Sequence, residues 1–148
     1  MHTLAEALEK IRWYALRWKI ETFRKILKTG CRAEQAKLRT AERLTRLLAV
    51  FCILSWRVFW MTMLQRTAPE IAASAAISPD EQIVLDKLFG SPEKQDDLST
   101  YLIRIARLGG YLARATDAPP GNITMWRGLG RLTDIQLGFL LAKGDVGN

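Results

Sequence analysis

A chain of 148 residues that is 49% hydrophobic, with only 10 Gly and 5 Pro, can bury a real core and is too apolar to be disordered. Its net charge of +7 is lopsided: 14 Lys/Arg stand against 5 Asp/Glu in residues 1–66, and 8 against 10 beyond them. The basic block points to a polyanion, nucleic acid first and an anionic membrane second, while two cysteines and one histidine exclude a Cys/His metal cluster.

The first 27 residues are charged and amphipathic and do not read as a signal peptide, so a cytoplasmic protein is expected. Thr3-Leu4-Ala5-Glu6 has the spacing of a capping box. A first helix should start at Leu4 and run, free of Gly and Pro, to Lys28, with Gly30 as its C-terminal cap. At 100° per residue, Tyr14, Arg17, Glu21, Lys25 and Lys28 fall within an arc of about 80°, a ridge about 21 Å long. Trp13, Leu16, Ile20, Phe23 and Leu27 fall on the opposite face and should be anchored in a core. Arg17–Glu21 and Glu21–Lys25 are i,i+4 pairs of the kind that decorate many solvated helices. Three cations around one carboxylate nevertheless leave a surplus that a phosphate backbone would neutralise.

A polar segment, Cys31–Arg39, precedes a second helix expected over Ala41–Arg66 behind Thr40 as N-cap. Its stretch Leu47–Leu64 contains one charge, Arg57. The length approaches a membrane span, but a central Arg opposes insertion and a buried core helix accounts for the same pattern. Cys52, inside this run, should be buried and inert, whereas the charges of Lys28 and Arg32 should activate Cys31 somewhat. Ala68–Ile77 reads as a small-residue linker. Ser78-Pro79-Asp80-Glu81 starts a short helix that ends at Gly90. After the polar loop Ser91–Asp97, a helix is expected over Leu98–Arg114, with Gly109-Gly110 inside it to permit close approach of a neighbouring backbone. Ala118-Pro119-Pro120-Gly121 breaks the chain, and Asn122 should cap a last helix reaching Lys143. The expected fold is all-α, without strand or repeat. Residues 1–66 form one part, 67–82 a linker and helix start, and 83–148 a C-terminal helical domain.

Tyr14-x2-Arg17-x3-Glu21-x6-Lys28 resembles the Y-R-E-K signature of DDE transposases from bacterial insertion sequences, the family typified by the transposon-five transposase. Trp18-Lys19-Ile20-Glu21 and Phe23 resemble the family's W-x-I-E-x-F, and Lys28-Thr29-Gly30 its K-[ST]-G. Ile105–Gly110 and Trp126-Arg127-Gly128-Leu129 resemble two blocks of its C-terminal domain, so the likeness runs from about Leu4 to Lys143. The resemblance implies phosphodiester cleavage and strand transfer on DNA with Mg²⁺ or Mn²⁺. It makes Glu21 the third metal-binding carboxylate and Tyr14, Arg17 and Lys28 contacts to transposon-end phosphates, with Lys25 neutralising charge near the metals. It assigns Gly109, Gly110 and Trp126 to subunit assembly. The family's two Asp ligands come from an RNase H-like sheet ahead of the Glu, yet the 20 residues before Glu21 include no Asp. The metal site is therefore expected to be incomplete, and the chain to be a C-terminal fragment, inactive alone, that partners DNA and itself or full-length subunits. The alternative is a truncated regulator that inhibits full-length transposase. A membrane-associated helical protein is the lesser alternative, and no membrane partner is expected.

Overall fold

In the computed structural model, which describes residues 3–31, 35, 37–91 and 97–144, Thr3 opens the first helix as its spacing dictates. Its Oγ1 accepts from the Glu6 N–H at 3.4 Å while Glu6 Oε2 accepts from the Thr3 N–H at 3.0 Å. The helices are α1 (Leu4–Ala15), α2 (Arg17–Thr29), α3 (Ala41–Thr67), α4 (Pro79–Phe89), α5 (Leu98–Leu108) and α6 (Asn122–Lys143), with a 3₁₀ turn at Ala73–Ala75. Among the described residues there is no strand, only an isolated antiparallel bridge between Ala72 and Asp97. The fold is all-α. The chain forms two compact units, Met1–Trp56 and Arg57–Asn148, whose boundary falls inside α3.

In the first unit, the single helix expected over Leu4–Lys28 is interrupted at Leu16. Leu16 stays right-handed (φ −84°, ψ −9°), but its N–H donates to the Trp13 carbonyl and its own carbonyl accepts from the Lys19 N–H, both at 3.0 Å. These i→i+3 bonds tighten one turn into 3₁₀ geometry without any Gly or Pro. The apolar face expected in a core is largely bare. Trp13, Leu16 and Ile20 are 66%, 49% and 56% exposed, Phe23 and Leu27 are half-buried, and α1 buries nothing. The buried anchor of α2 is Ile26. Gly30 does occupy the C-cap, but with a right-handed φ of −76°.

Cys52, expected to be buried, is exposed, and Cys31, expected to be activated by neighbouring cations, is buried. Phe51 and Ser55 lie one turn apart on α3, and the Cys31 thiol meets the Phe51 carbonyl at 3.6 Å and the Ser55 hydroxyl at 3.3 Å. Cys52 lies about 100° further round the helix. Burial pushes the Cys31 thiol above its ordinary pKa, the Ser55 hydrogen bond offsetting part of that rise. Because the thiolate is the nucleophile, a maleimide at neutral pH should label Cys52 well before Cys31. Raising the pH past the ordinary thiol range should speed Cys31 selectively; equal rates by peptide mass mapping would contradict this packing.

The second unit closes its own core. Val58, Met61 and Leu64 of α3, Val84 and Leu85 of α4, Leu98, Leu102 and Ile105 of α5, and Met125, Leu129 and Leu132 of α6 are all buried. The segment read as a linker is pinned to this core. Ala73 and Ile77 are buried, and the Ile71 and Pro69 carbonyls accept from Leu98 and Ser99 N–H at 3.1 and 3.3 Å. Ser78 caps α4 through a complete capping box. Its partner Glu81, 3% exposed, also receives the Arg57 guanidinium. The lone charge of the apolar stretch thus meets a buried carboxylate, as a desolvated ion requires. By length and composition alone, α3 is apolar enough to cross a membrane; a third of that window (33%) is buried within the fold.

Two expectations at the glycines change. α5 ends at Leu108, not Arg114, because Gly110 takes φ +96° and closes a Schellman turn. The Tyr111 N–H donates to the Ala106 carbonyl at 2.9 Å and the Gly110 N–H to the Arg107 carbonyl at 3.0 Å. The N-cap of α6 is Gly121, with Asn122 its first helical residue and no side-chain cap bond. The close approach itself is real, but it joins Gly109 to Gly128. A Cβ on Gly109 would lie 2.8 Å from the Gly128 nitrogen and nearer still to the Thr124 carbonyl oxygen. One on Gly128 would lie 2.7 Å from the Ile105 carbonyl carbon, whereas Gly110 and Gly130 face open space. Gly128→Ala or Gly109→Ala should therefore cost about 1–3 kcal/mol. Gly130→Ala should stabilise α6 by up to about 1 kcal/mol. Thermal melts by circular dichroism that shift alike for Gly128→Ala and Gly130→Ala would refute the crossing.

Candidate nucleic-acid interface

The charged ridge spans the tightened turn. Tyr14 sits in the last turn of α1 and Arg17 at the start of α2, where its guanidinium carbon lies 6.0 Å from the centre of the Tyr14 ring. Arg17 Nε stands 3.8 Å from Glu21 Oε1, with side chains 63% and 56% exposed. A pair so open to water is worth little to stability. Lys25 and Lys28 follow at i+4 and i+7 from Glu21, both exposed, on the same helix. The structure thus brings Tyr14, Arg17 and Glu21 into contact and continues the line through Lys25 and Lys28. All five residues are exposed, on both sides of the turn at Leu16, whose backbone stays right-handed.

Chemically, this ridge is a row of three cations and a phenol around one carboxylate. Such a row suits phosphate oxygens, with Arg offering a planar fork and Lys a point charge. It does not fit a divalent metal centre on its own. Hard cations need several oxygen ligands, whereas the carboxylate of Glu21 faces the Arg17 cation. Among the described residues no three Asp, Glu, His or Cys side chains come together.

The residues singled out for assembly separate into different tasks. Gly109 holds the α5–α6 crossing, Gly110 makes the turn, and Trp126 lies half-buried on α6. The first two act within one chain. Gly128 is the partner that sequence reasoning named only inside a likeness block. Its signal was available: a glycine in mid-helix costs about 1 kcal/mol against Ala, so something must require it. Also unforeseen was a buried polar knot. Arg104, 8% exposed, donates to Asp86 at 2.7 Å and to the Gly90 carbonyl at 2.6 Å, while the Tyr101 hydroxyl reaches Asp86 at 3.1 Å. It ties the end of α4 to α5. On α6, by contrast, Leu137 and Leu141 stand one turn apart and are 52% and 58% exposed.

Residues 53–145 match a family model described as the transposase Tn5 dimerisation domain. The match takes in the end of α3 and all of α4, α5 and α6, and the ridge on α1 and α2 precedes it.

Proposed function

Because this chain belongs to the transposase Tn5 dimerisation domain family, we propose that it is the DNA-holding and subunit-pairing region of a cut-and-paste DNA transposase. Its role is transposase-related and its second unit serves self-association or subunit pairing. The observation that carries the finer reading is the exposed Tyr14–Arg17–Glu21 contact with Lys25 and Lys28 in line behind it. Tyr14, Arg17 and Lys28 would grip phosphates of the transposon end, and Lys25 would add positive charge. Glu21 would supply one carboxylate to a Mg²⁺ or Mn²⁺ site whose remaining ligands lie outside these residues, its Arg17 contact giving way. By itself the chain should not cleave DNA. In the second unit, Leu137 and Leu141 would be the apolar face of α6 offered to a partner.

Gel-shift titration over a salt series tests the ridge. Arg17→Ala, Lys25→Ala and Lys28→Ala together should weaken duplex binding and flatten the salt slope by up to about 0.9 per lost phosphate contact. Glu21→Ala should not weaken it. An unchanged slope in the triple variant removes the ridge from DNA binding.

Pairing is tested by sedimentation. Leu137→Asp with Leu141→Asp should move the chain toward monomer at micromolar concentration, while its helix content is kept. A second reading, a regulator that binds DNA or full-length subunits and blocks them, is favoured by a pairing domain joined to a lone carboxylate. Co-expression with an intact relative should then lower transposition as the chain's abundance rises, and the double Asp variant should restore it.

A further inference from the structure

The second unit is electrically balanced, with ten Lys/Arg and ten Asp/Glu from residue 57 onward. Its arginines are used in two different ways. Arg57 and Arg104 are drawn into the fold and each is paired with an acid, Glu81 and Asp86. Arg107, Arg127 and Arg131 are exposed and make no ion pair among the described residues. All three line one open cavity of about 560 Å³ at the end of α5 and along α6. Gly110 and Gly130 form part of its wall and bring no side chain to fill it, and Asp134 is the single acid among the residues that line it.

We propose that this cavity is a second phosphate-binding surface, on the pairing unit itself, that takes the backbone of a nucleic-acid strand. Three guanidiniums without an acid partner among the described residues, against one lining carboxylate, leave a local surplus in a unit that is neutral overall, and a concave site concentrates that field on an anion. Arg127 and Arg131 stand one turn apart on α6, about 6 Å along its axis. They therefore present two planar forks in sequence, as successive phosphates of one strand require. The opening is far larger than one phosphate group and is not enclosed, which suits a polymer lying across it. This surface is separate from the α1–α2 ridge in sequence and in compact unit, so the two can fail independently.

The test uses the full chain and a short duplex of arbitrary sequence. Arg107→Ala, Arg127→Ala and Arg131→Ala together should flatten the salt slope by up to about 0.9 per lost contact. The same loss should appear when Arg17, Lys25 and Lys28 are already Ala, because sites that share no partners add. An unchanged slope in both backgrounds, with helix content and melting intact, would overturn the proposal. An effect of the ridge variant alone would overturn it too, whereas an effect of the cavity variant alone would sink the ridge instead.

A second measurement needs no variant. Phenylglyoxal modification of the native chain, read by peptide mass, should be slowed at Arg107, Arg127 and Arg131 by the duplex. Inorganic phosphate at the same phosphate concentration, or poly-aspartate, should slow it much less. No protection by the duplex would overturn the proposal. Equal protection by free phosphate would make the cavity a small-anion pocket, and equal protection by poly-aspartate an acidic-protein surface; either result would overturn it as well.

Discussion

The second unit depends on one constraint: two backbones must pass each other at Gly109 and Gly128 with no side chain between them. The helix end and the helix middle that meet there are fixed by different forces. α5 must stop where it does, since the Schellman turn through Gly110 directs the chain away just beyond the contact. α6 must continue, because Met125, Leu129 and Leu132 carry its buried stripe past the crossing. With the distance set, Ile105, whose carbonyl would meet any Cβ on Gly128, is itself fully buried, and the α5 face behind it closes on α4. The arginine knot at Asp86 and the Arg57–Glu81 pair then seal polar groups into a core already defined by that spacing. Buried ion pairs of this sort add little net stability but are costly to break, so they select one arrangement.

The opposite treatment of arginine in and around this core bears on function. A guanidinium the fold needs is given an acid, and the residues that supply it lie far away in sequence, as with Arg57 and Glu81. The guanidiniums around the α5–α6 cavity receive none among the described residues. On the ridge, Glu21 and Arg17 do touch, but both remain more than half exposed, so their contact screens charge without consuming it. The chain therefore keeps its available positive charge on surfaces and away from its core. That is the distribution the proposed phosphate contacts would need.

Much of this was legible in the sequence where a local rule has one strong outcome. Thr3 with Glu6 and Ser78 with Glu81 announced their capping boxes, and Gly90 and the Pro119-Pro120 break announced ends. The transposase likeness, with its C-terminal domain, was also readable from Ile105–Gly110 and Trp126–Leu129, inside the region the family match covers. What was not legible depended on tertiary partners. Gly109-Gly110 could sit inside a helix or end one; the choice followed from which carbonyls Gly110 and Tyr111 could reach. Cys52 is exposed, not buried, because burial on α3 depends on which of its faces is covered, and an all-round apolar run does not reveal that. The interruption at Leu16 has no residue of its own to signal it; two i→i+3 bonds make it.

The two units also differ in how far they satisfy themselves. The second buries side chains from every one of its α-helices. The first leaves Trp13, Leu16 and Ile20 about half or more exposed on the face directly behind the ridge. Fully burying each such side chain is worth about 1.5–3 kcal/mol, so covering that face would be strongly favourable. The ridge and the bare face belong to the same pair of helices, which makes them mechanically one object. Whatever covers Trp13, Leu16 and Ile20 also fixes the direction in which Tyr14, Arg17 and Glu21 project. The proposed phosphate grip, resting on aligned cations, would be sharpened when the helix beneath it stops rotating, since fewer side-chain and backbone freedoms would remain to be lost on binding. On the proposed reading, the apolar side of α1 and α2 thereby governs how well their charged side holds phosphate.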